Sequence, residues 1–344
     1  MRRLLAYAGA LAAALVLGHP AAARDEDRAP ASSGRPLTLA VIGDSPYGPA
    51  QLTAFPRLVS SINADPNAEL VLHLGDIKNG SSPCTDAYFG EIRTLFDTFA
   101  DPLVYTPGDN EWTDCHRPAA GGFLPTERLA RIRQTFFPRP GVTLGGQPRE
   151  VYTQANSGIP AWGEYVENQL WRESGVVFVI LHVVGSNNDL QPWFGAAETA
   201  AQRAQRLEEY ELRQAANLAW LTYAFELAFE ERAKGVVVAM QADTWDAFSI
   251  ANGLPLNGFD AIVQRLAGHA REFERPVLVL QGDSHRYLVD RPLAGGDPVH
   301  GVTAPVPNLT RIVVEGETAS EWLRLRVDPG SAGVFSWERV PVGG

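Results

Sequence analysis

Four stretches decide the reading: Leu37–Asp44 "LTLAVIGD", Glu69–Asp76 "ELVLHLGD", Pro102–Asp109 "PLVYTPGD" and Pro276–Asp283 "PVLVLQGD". Each is a hydrophobic run that ends in Gly-Asp. Runs of this kind are strands buried on both faces. An open α/β sheet gathers its ligands at the carboxyl ends of such strands. Four carboxylates there, with His285 just past the last, have the composition of a polynuclear metal site. Gly296-Asp297 is an internal control: it follows no strand and reads as a plain turn.

Outward from these stretches the chain alternates. Helical spacing follows at Ala50–Asn63, at Asp86–Phe99 and at Thr126–Phe137, the last with Thr126 or an upstream residue as its expected cap. Asp44, Asp76 and Asp109 are thus separated by β-α-β crossovers, whose right-handedness puts the strand ends on one edge. Residues 138–170 are rich in Gly and Pro and have no period, so they read as a surface insertion and a candidate lid. "GVVFVILHVVG" (175–185) and "GVVVAMQAD" (235–243) are further strands. Between them Glu198–Lys234 reads as one long charged helix or a helix pair. Phe259–Phe273 is another helix. The tail runs "RIVVEG", "EWLRLRVD" and "GVFSWERV" suit an antiparallel finishing sheet packed on the first. The fold class expected is α/β, and residues 37–340 are expected to form a single domain.

The amino terminus carries Arg2 and Arg3, an apolar run Leu4–Leu17 too short to span a bilayer, and small residues at Ala21–Ala23. This is the pattern of a cleaved signal peptide over residues 1–23, with a solvated leader at 24–36. The expected location is periplasmic or secreted, with no membrane span after cleavage. The net charge is −11, without basic clusters, which argues against a nucleic-acid partner. The oligomeric state is not readable. The two cysteines, Cys84 and Cys115, are expected to be bridged in an oxidising compartment. Both follow a Gly-Asp loop, so the bridge would tie two site-bearing loops together.

In chain order the motifs are "GDSPYG", "GDIKNG", "GDNEW", "MQADTWD" and "GDSHRY". Their order and the strand before each resemble the calcineurin-like metallophosphoesterase family, including its purple acid phosphatase branch, over about Leu37 to Val289. The resemblance implies a two-sheet αβ sandwich, a dinuclear metal centre and hydrolysis of a phosphoester by a metal-bound hydroxide. On the family pattern Asp44 and Asp76 are ligands, with Asp76 bridging both metals, and His285 is the second His of the last motif. Pro46 stands where the first motif has a His. Asp109 stands at the Asn ligand position and Asn110 at the catalytic His. Gln241 stands about where a His ligand is expected, with Asp243 close by, and Asp283 replaces the first His of the last motif.

One family histidine of five is kept, and most replacements exchange nitrogen for oxygen. Such a donor set favours two hard divalent cations, Mg²⁺, Mn²⁺ or Ca²⁺, over Zn²⁺ or Fe. Lys78, Asn79 and Arg286 are candidates for binding the phosphate of a small phosphorylated substrate. His116 is a candidate general acid in place of the missing one. Loss of the histidines also leaves a second reading: a degenerate member that binds a cation, a phosphate or a protein without turnover. His73 falls on the sheet face opposite Asp76 and is expected to be a hydrogen-bonded core residue.

Overall fold

The computed structural model describes residues 34–343. The expected signal peptide and most of the leader lie outside the described residues. None of the described helices is long and apolar enough to cross a membrane.

The chain forms an α/β protein with two mixed sheets. The first three long strands are β1 (Leu37–Ile42), β2 (Ala68–His73) and β3 (Pro102–Tyr105), joined by helices α1 (Gly48–Asn63) and α2 (Asp86–Phe96). They pair in parallel, β1 with β2 and β2 with β3. Helix α3 (Pro125–Phe136) and short strand β4 (Leu144–Gly145) follow, and β4 pairs antiparallel with β3. Of the two expected caps, Thr126 or a residue upstream of it, the upstream one is used: Leu124 holds the N-cap position without a side-chain bond, and Pro125 opens the helix. Proline serves there because its missing N–H and fixed φ suit a first turn.

The second sheet begins with β5 (Tyr152–Thr153), β6 (Gln169–Glu173) and β7 (Val176–Ile180). Residues 138–170 therefore link the two sheets and place an edge strand on each. Helix α4 (Ala200–Glu230) is one continuous helix, opened by a reciprocal bond between Thr199 and Gln202. It leads to β8 (Gly235–Ala239), α5 (Ala247–Asn252), α6 (Asp260–Phe273) and β9 (Val277–Gln281). Strands β7, β8 and β9 are parallel.

The tail does not build a sheet of its own. After β10 (Leu288–Asp290), strand β11 (Leu309–Val313) joins the second sheet parallel to β9. Strands β12 (Glu321–Val327) and β13 (Phe335–Pro341) join the first sheet, β12 antiparallel to β1. The orders are β13-β12-β1-β2-β3-β4 and β10-β11-β9-β8-β7-β6-β5.

Period-two alternation divides each strand between two cores. Leu37, Leu39 and Val41 of β1 pack with Phe178, Val237 and Leu278 of the other sheet. Ala40 and Ile42 face Phe55, Leu58 and Ile92 of α1 and α2. On the far side Val236, Val238 and Val277 meet Leu221, Phe225 and Val263 of α4 and α6. Both faces of each sheet are thus covered, which is why the strands read as unbroken apolar runs. His73 is fully buried, with Nε2 on the Ser45 carbonyl at 2.7 Å and Nδ1 accepting from Gly75 N–H.

Candidate metal centre

Each Gly-Asp pair turns its carboxylate inward immediately after a strand. Asp44, Asp76 and Asp283 hold φ values of 49°, 55° and 71°, and His285 holds 57°. Left-handed backbone is uncommon in residues with a Cβ and costs on the order of 1–3 kcal/mol each. Its repetition at four of five candidate ligands shows that the turns are held by their surroundings. Asp44 N–H donates to the Gly75 carbonyl at 2.9 Å, and Asp283 N–H donates to Asp44 Oδ1 at 2.9 Å. The loops after β1, β2 and β9 are thereby tied together.

The carboxylates converge. Ligand atoms of Asp44, Asp76 and His285 lie within 4.8 Å of one another, and so do those of Asp76, Asp109 and Asp283. Asp76 is common to both groups. Glycine makes this approach possible. A Cβ on Gly185 would sit 2.7 Å from Asp109 Oδ2 and 2.8 Å from Asp283 Oδ1, and one on Gly282 would sit 2.6 Å from Asp44 Oδ2.

Two observations fit this donor set to cations. Asp44 Oδ2 is buried with no hydrogen-bond partner. Burial, reinforced by the neighbouring carboxylates, raises the Asp44, Asp76 and Asp283 carboxyls well above their ordinary range. Among the described residues no Lys or Arg forms an ion pair with any of these acids, while His285 Nε2 stands 3.8 Å from Asp44 Oδ1. Oxygen-rich surroundings suit hard divalent ions.

Other expected residues take different places. Asn110 donates from Nδ2 to Asp76 Oδ2 at 2.7 Å and from its backbone N–H to Asp76 Oδ1 at 3.1 Å. Gln241, expected as a ligand, accepts from Gly185 N–H at 2.7 Å through its oxygen and donates from Nε2 to Asp109 Oδ1 at 3.2 Å. It therefore orients Asp109, and its own oxygen is held by Gly185 N–H. Lys78, expected at the substrate, is fully buried with Nζ on the Asn110 carbonyl at 2.7 Å. The turn after Asp76 folds it inward, away from a substrate. Asn79 closes its own turn by accepting from Ser81 and Ser82.

His116, expected as general acid, is pinned to the Thr113 carbonyl at 2.7 Å and packs on Phe194. It is in neither convergent group. Arg286 is exposed. Asp243 pairs with Arg311 and accepts from Trp245 N–H. Cys84 and Cys115 form a disulfide.

Four contributors were missed. Tyr47 donates to Asp76 Oδ2 at 3.0 Å and lies 3.2 Å from His285 Nε2. It is part of the first motif, beside the unhelpful Pro46. Glu111 is fully buried, and its Oε1 accepts from Asp76 N–H, Gly108 N–H and Tyr105 Oη. A Glu inside "GDNEW" was the available sign. Ser186 Oγ lies 2.8 Å from Asp109 Oδ2 and 3.1 Å from Asp114 Oδ1, and its one proton is shared between them. Burial and Asp109 push Asp114 up to about 8, against the pull of Arg117. Nothing in the sequence announced Ser186, whose reach depends on a left-handed turn from Ser186 to Asp189.

The sequence profile of the calcineurin-like phosphoesterases matches residues 37–215. The chain belongs to that family. No curated protein matches this phosphoesterase-family chain. Among solved structures it is similar to GAP50, the anchor in the inner membrane complex of Plasmodium, with 9% identity, 90% of each chain covered and a TM-score of 0.45. It is also similar to purple acid phosphatase PPD1 from yellow lupin seeds, with 9% identity and a TM-score of 0.42. That match covers 90% of this chain and 54% of the lupin chain. The family's profile ends before Gln241, Asp283 and His285, so the second half of the centre rests on its geometry alone.

Proposed function

We propose that the protein is an exported, metal-dependent hydrolase of phosphate esters. One observation carries the reading: Asp76 belongs to two ligand groups at once, which is the position of a carboxylate shared between two ions. Asp44 and His285 would complete one site, and Asp109 and Asp283 the other. A pair of hard divalent cations would supply Lewis acidity and an activated water.

The chain's own residues organise that site. Tyr47 and Asn110 hold both oxygens of Asp76 in place, and Glu111 fixes the backbone around it. Ser186 and Gln241 do the same for Asp109. Partners of this kind orient metal ligands and typically carry about 10–100-fold in metal affinity. Export follows from the amino-terminal pattern, and a disulfide suits an oxidising compartment. The substrate would be a small phosphorylated molecule.

The test is a chelator-treated sample returned to Mg²⁺, Mn²⁺ or Ca²⁺, with metal content and aryl phosphate hydrolysis measured together. Two bound ions and metal-dependent turnover are expected. Tight metal or phosphate binding without turnover under every condition would favour the non-catalytic binding module. A folded sample that takes up no metal would falsify the hydrolase reading, and one that binds neither metal nor phosphate would also remove the cation- or phosphate-binding module.

A further inference from the structure

Three side-chain cations stand near the carboxylates, and they are held differently. Lys78 is enclosed and committed to the Asn110 carbonyl. Arg286 is exposed, and none of its contacts with the described residues is a hydrogen bond or ion pair. Arg117 is anchored at one end and open at the other. Its Nη1 lies 2.6 Å from Asp114 Oδ2, with the arginine side chain 41% exposed and the carboxylate 3%.

That anchor leads straight to the candidate ligands. The other oxygen of Asp114 accepts from Ser186 Oγ, and the same hydroxyl reaches Asp109. On the opposite flank a methyl group on Gly80 would touch Arg117 Nη1 at 2.6 Å and Asn110 Oδ1 at 2.8 Å. The guanidinium and the Asn110 amide therefore share one niche, and that amide is bonded to Asp76. The loop is rigid: Cys115 is bridged to Cys84, and the Arg117 carbonyl accepts from Ala120 and Gly122 N–H. A guanidinium fixed at one edge keeps its remaining N–H donors in a planar fork suited to phosphoryl oxygens.

Resting on the phosphoesterase reading, we propose that Arg117 binds the phosphoryl oxygen turned away from the metal pair, and that it selects phosphomonoesters. A monoester has three non-ester oxygens, enough to meet two cations and the fork. A diester has two, and its ester oxygens are poor acceptors. Asp114 is a positioning residue here, since it acts through Arg117.

The test uses the Mn²⁺-loaded full chain and inorganic phosphate as calorimetric probe, beside hydrolysis of an aryl monoester and a bis-aryl diester. Arg117→Lys keeps the charge beside Asp114 but loses the fork. It is expected to weaken phosphate binding about tenfold, to raise KM for the monoester more than it lowers kcat, and to leave Mn²⁺ affinity and diester turnover unchanged. The double variant Asp114→Asn with Arg117→Gln avoids an unpaired buried carboxylate and should show the same loss of phosphate. Phosphate affinity within twofold of wild type in both variants overturns the assignment, as does a larger loss from Arg286→Gln. Wild-type protein that takes up Mn²⁺ but neither binds phosphate nor hydrolyses either ester overturns the phosphoesterase reading itself, and the assignment with it.

Discussion

Two groups of buried acids in this protein are treated in opposite ways. Glu167 is fully buried, and the chain supplies its partners: Arg133 Nη2 at 2.7 Å and His182 Nδ1 at 2.8 Å. Burial alone would raise the carboxyl, but Arg133 and His182 hold it well below the usual range. Asp44, Asp76 and Asp283 are pushed the other way by burial and by one another. The nearby cations Lys78 and Arg117 are bonded elsewhere. Where an acid serves the fold, its counter-charge comes from the same chain. Where it serves a site, the counter-charge is left to come from outside.

The comparison breaks if Asp76→Asn keeps its metal. Partners of ligands are worth about 10–100-fold in affinity, so loss of the shared ligand should cost more than about 100-fold for both ions, read by calorimetry. The metal-free variant should melt no lower than metal-free wild type, because one buried charge has been removed from a crowd of like charges. Glu167→Gln should do the reverse. Metal affinity stays, and the fold loses about 3 kcal/mol in denaturant titration, because Arg133 is left with Glu164 alone in a buried setting. A destabilised Asp76→Asn beside an indifferent Glu167→Gln would erase the distinction drawn above.

Acid should act through the structural group first. Burial lowers His73 from 6.5 to about 4. The unfolded chain therefore binds the extra proton between those values, so the stability from a neutral His73 is complete above about 6.5 and is lost as pH falls. Glu167, lowered in the fold, adds a loss in the same direction below about 4.3. Metal-saturated protein should show a falling melting temperature from pH 6.5 downward, and His73→Gln should flatten the upper part of that slope. An unchanged slope in the variant would remove His73 from the account.

These effects differ in how far the sequence disclosed them. The strands, both sheets' parallel cores and the convergence of Asp44, Asp76, Asp109, Asp283 and His285 follow from local pattern, because a run of apolar residues before Gly-Asp fixes where a carboxylate must stand. The direction of a side chain within a turn does not follow. Lys78 is expected at the substrate and Gln241 at a metal, yet both are committed to the chain itself, since their partners, the Asn110 carbonyl and Gly185 N–H, lie far away in sequence. Ser186 was invisible for the same reason. The tail was misread because β11 and β12 carry similar apolar runs, and only packing assigns them to different sheets.

The smallest effect separates strain inside the site from strain outside it. Glu274 closes α6 at φ 60° on the surface, and Ser186 opens the left-handed turn at φ 53°. Glycine is free of the Cβ penalty at both. Glu274→Gly should gain up to about 1 kcal/mol in denaturant titration and leave metal affinity alone. Ser186→Gly obtains the same backbone relief but gives up the hydroxyl's hydrogen bond to the carboxylates, worth about 1 kcal/mol, so its stability should hardly rise while metal affinity drops about tenfold. The strain at Ser186 is then a condition of delivering a hydroxyl between Asp109 and Asp114. Equal stabilisation of the two variants, with metal affinity intact in both, would make the turn a backbone accident with no part in the centre.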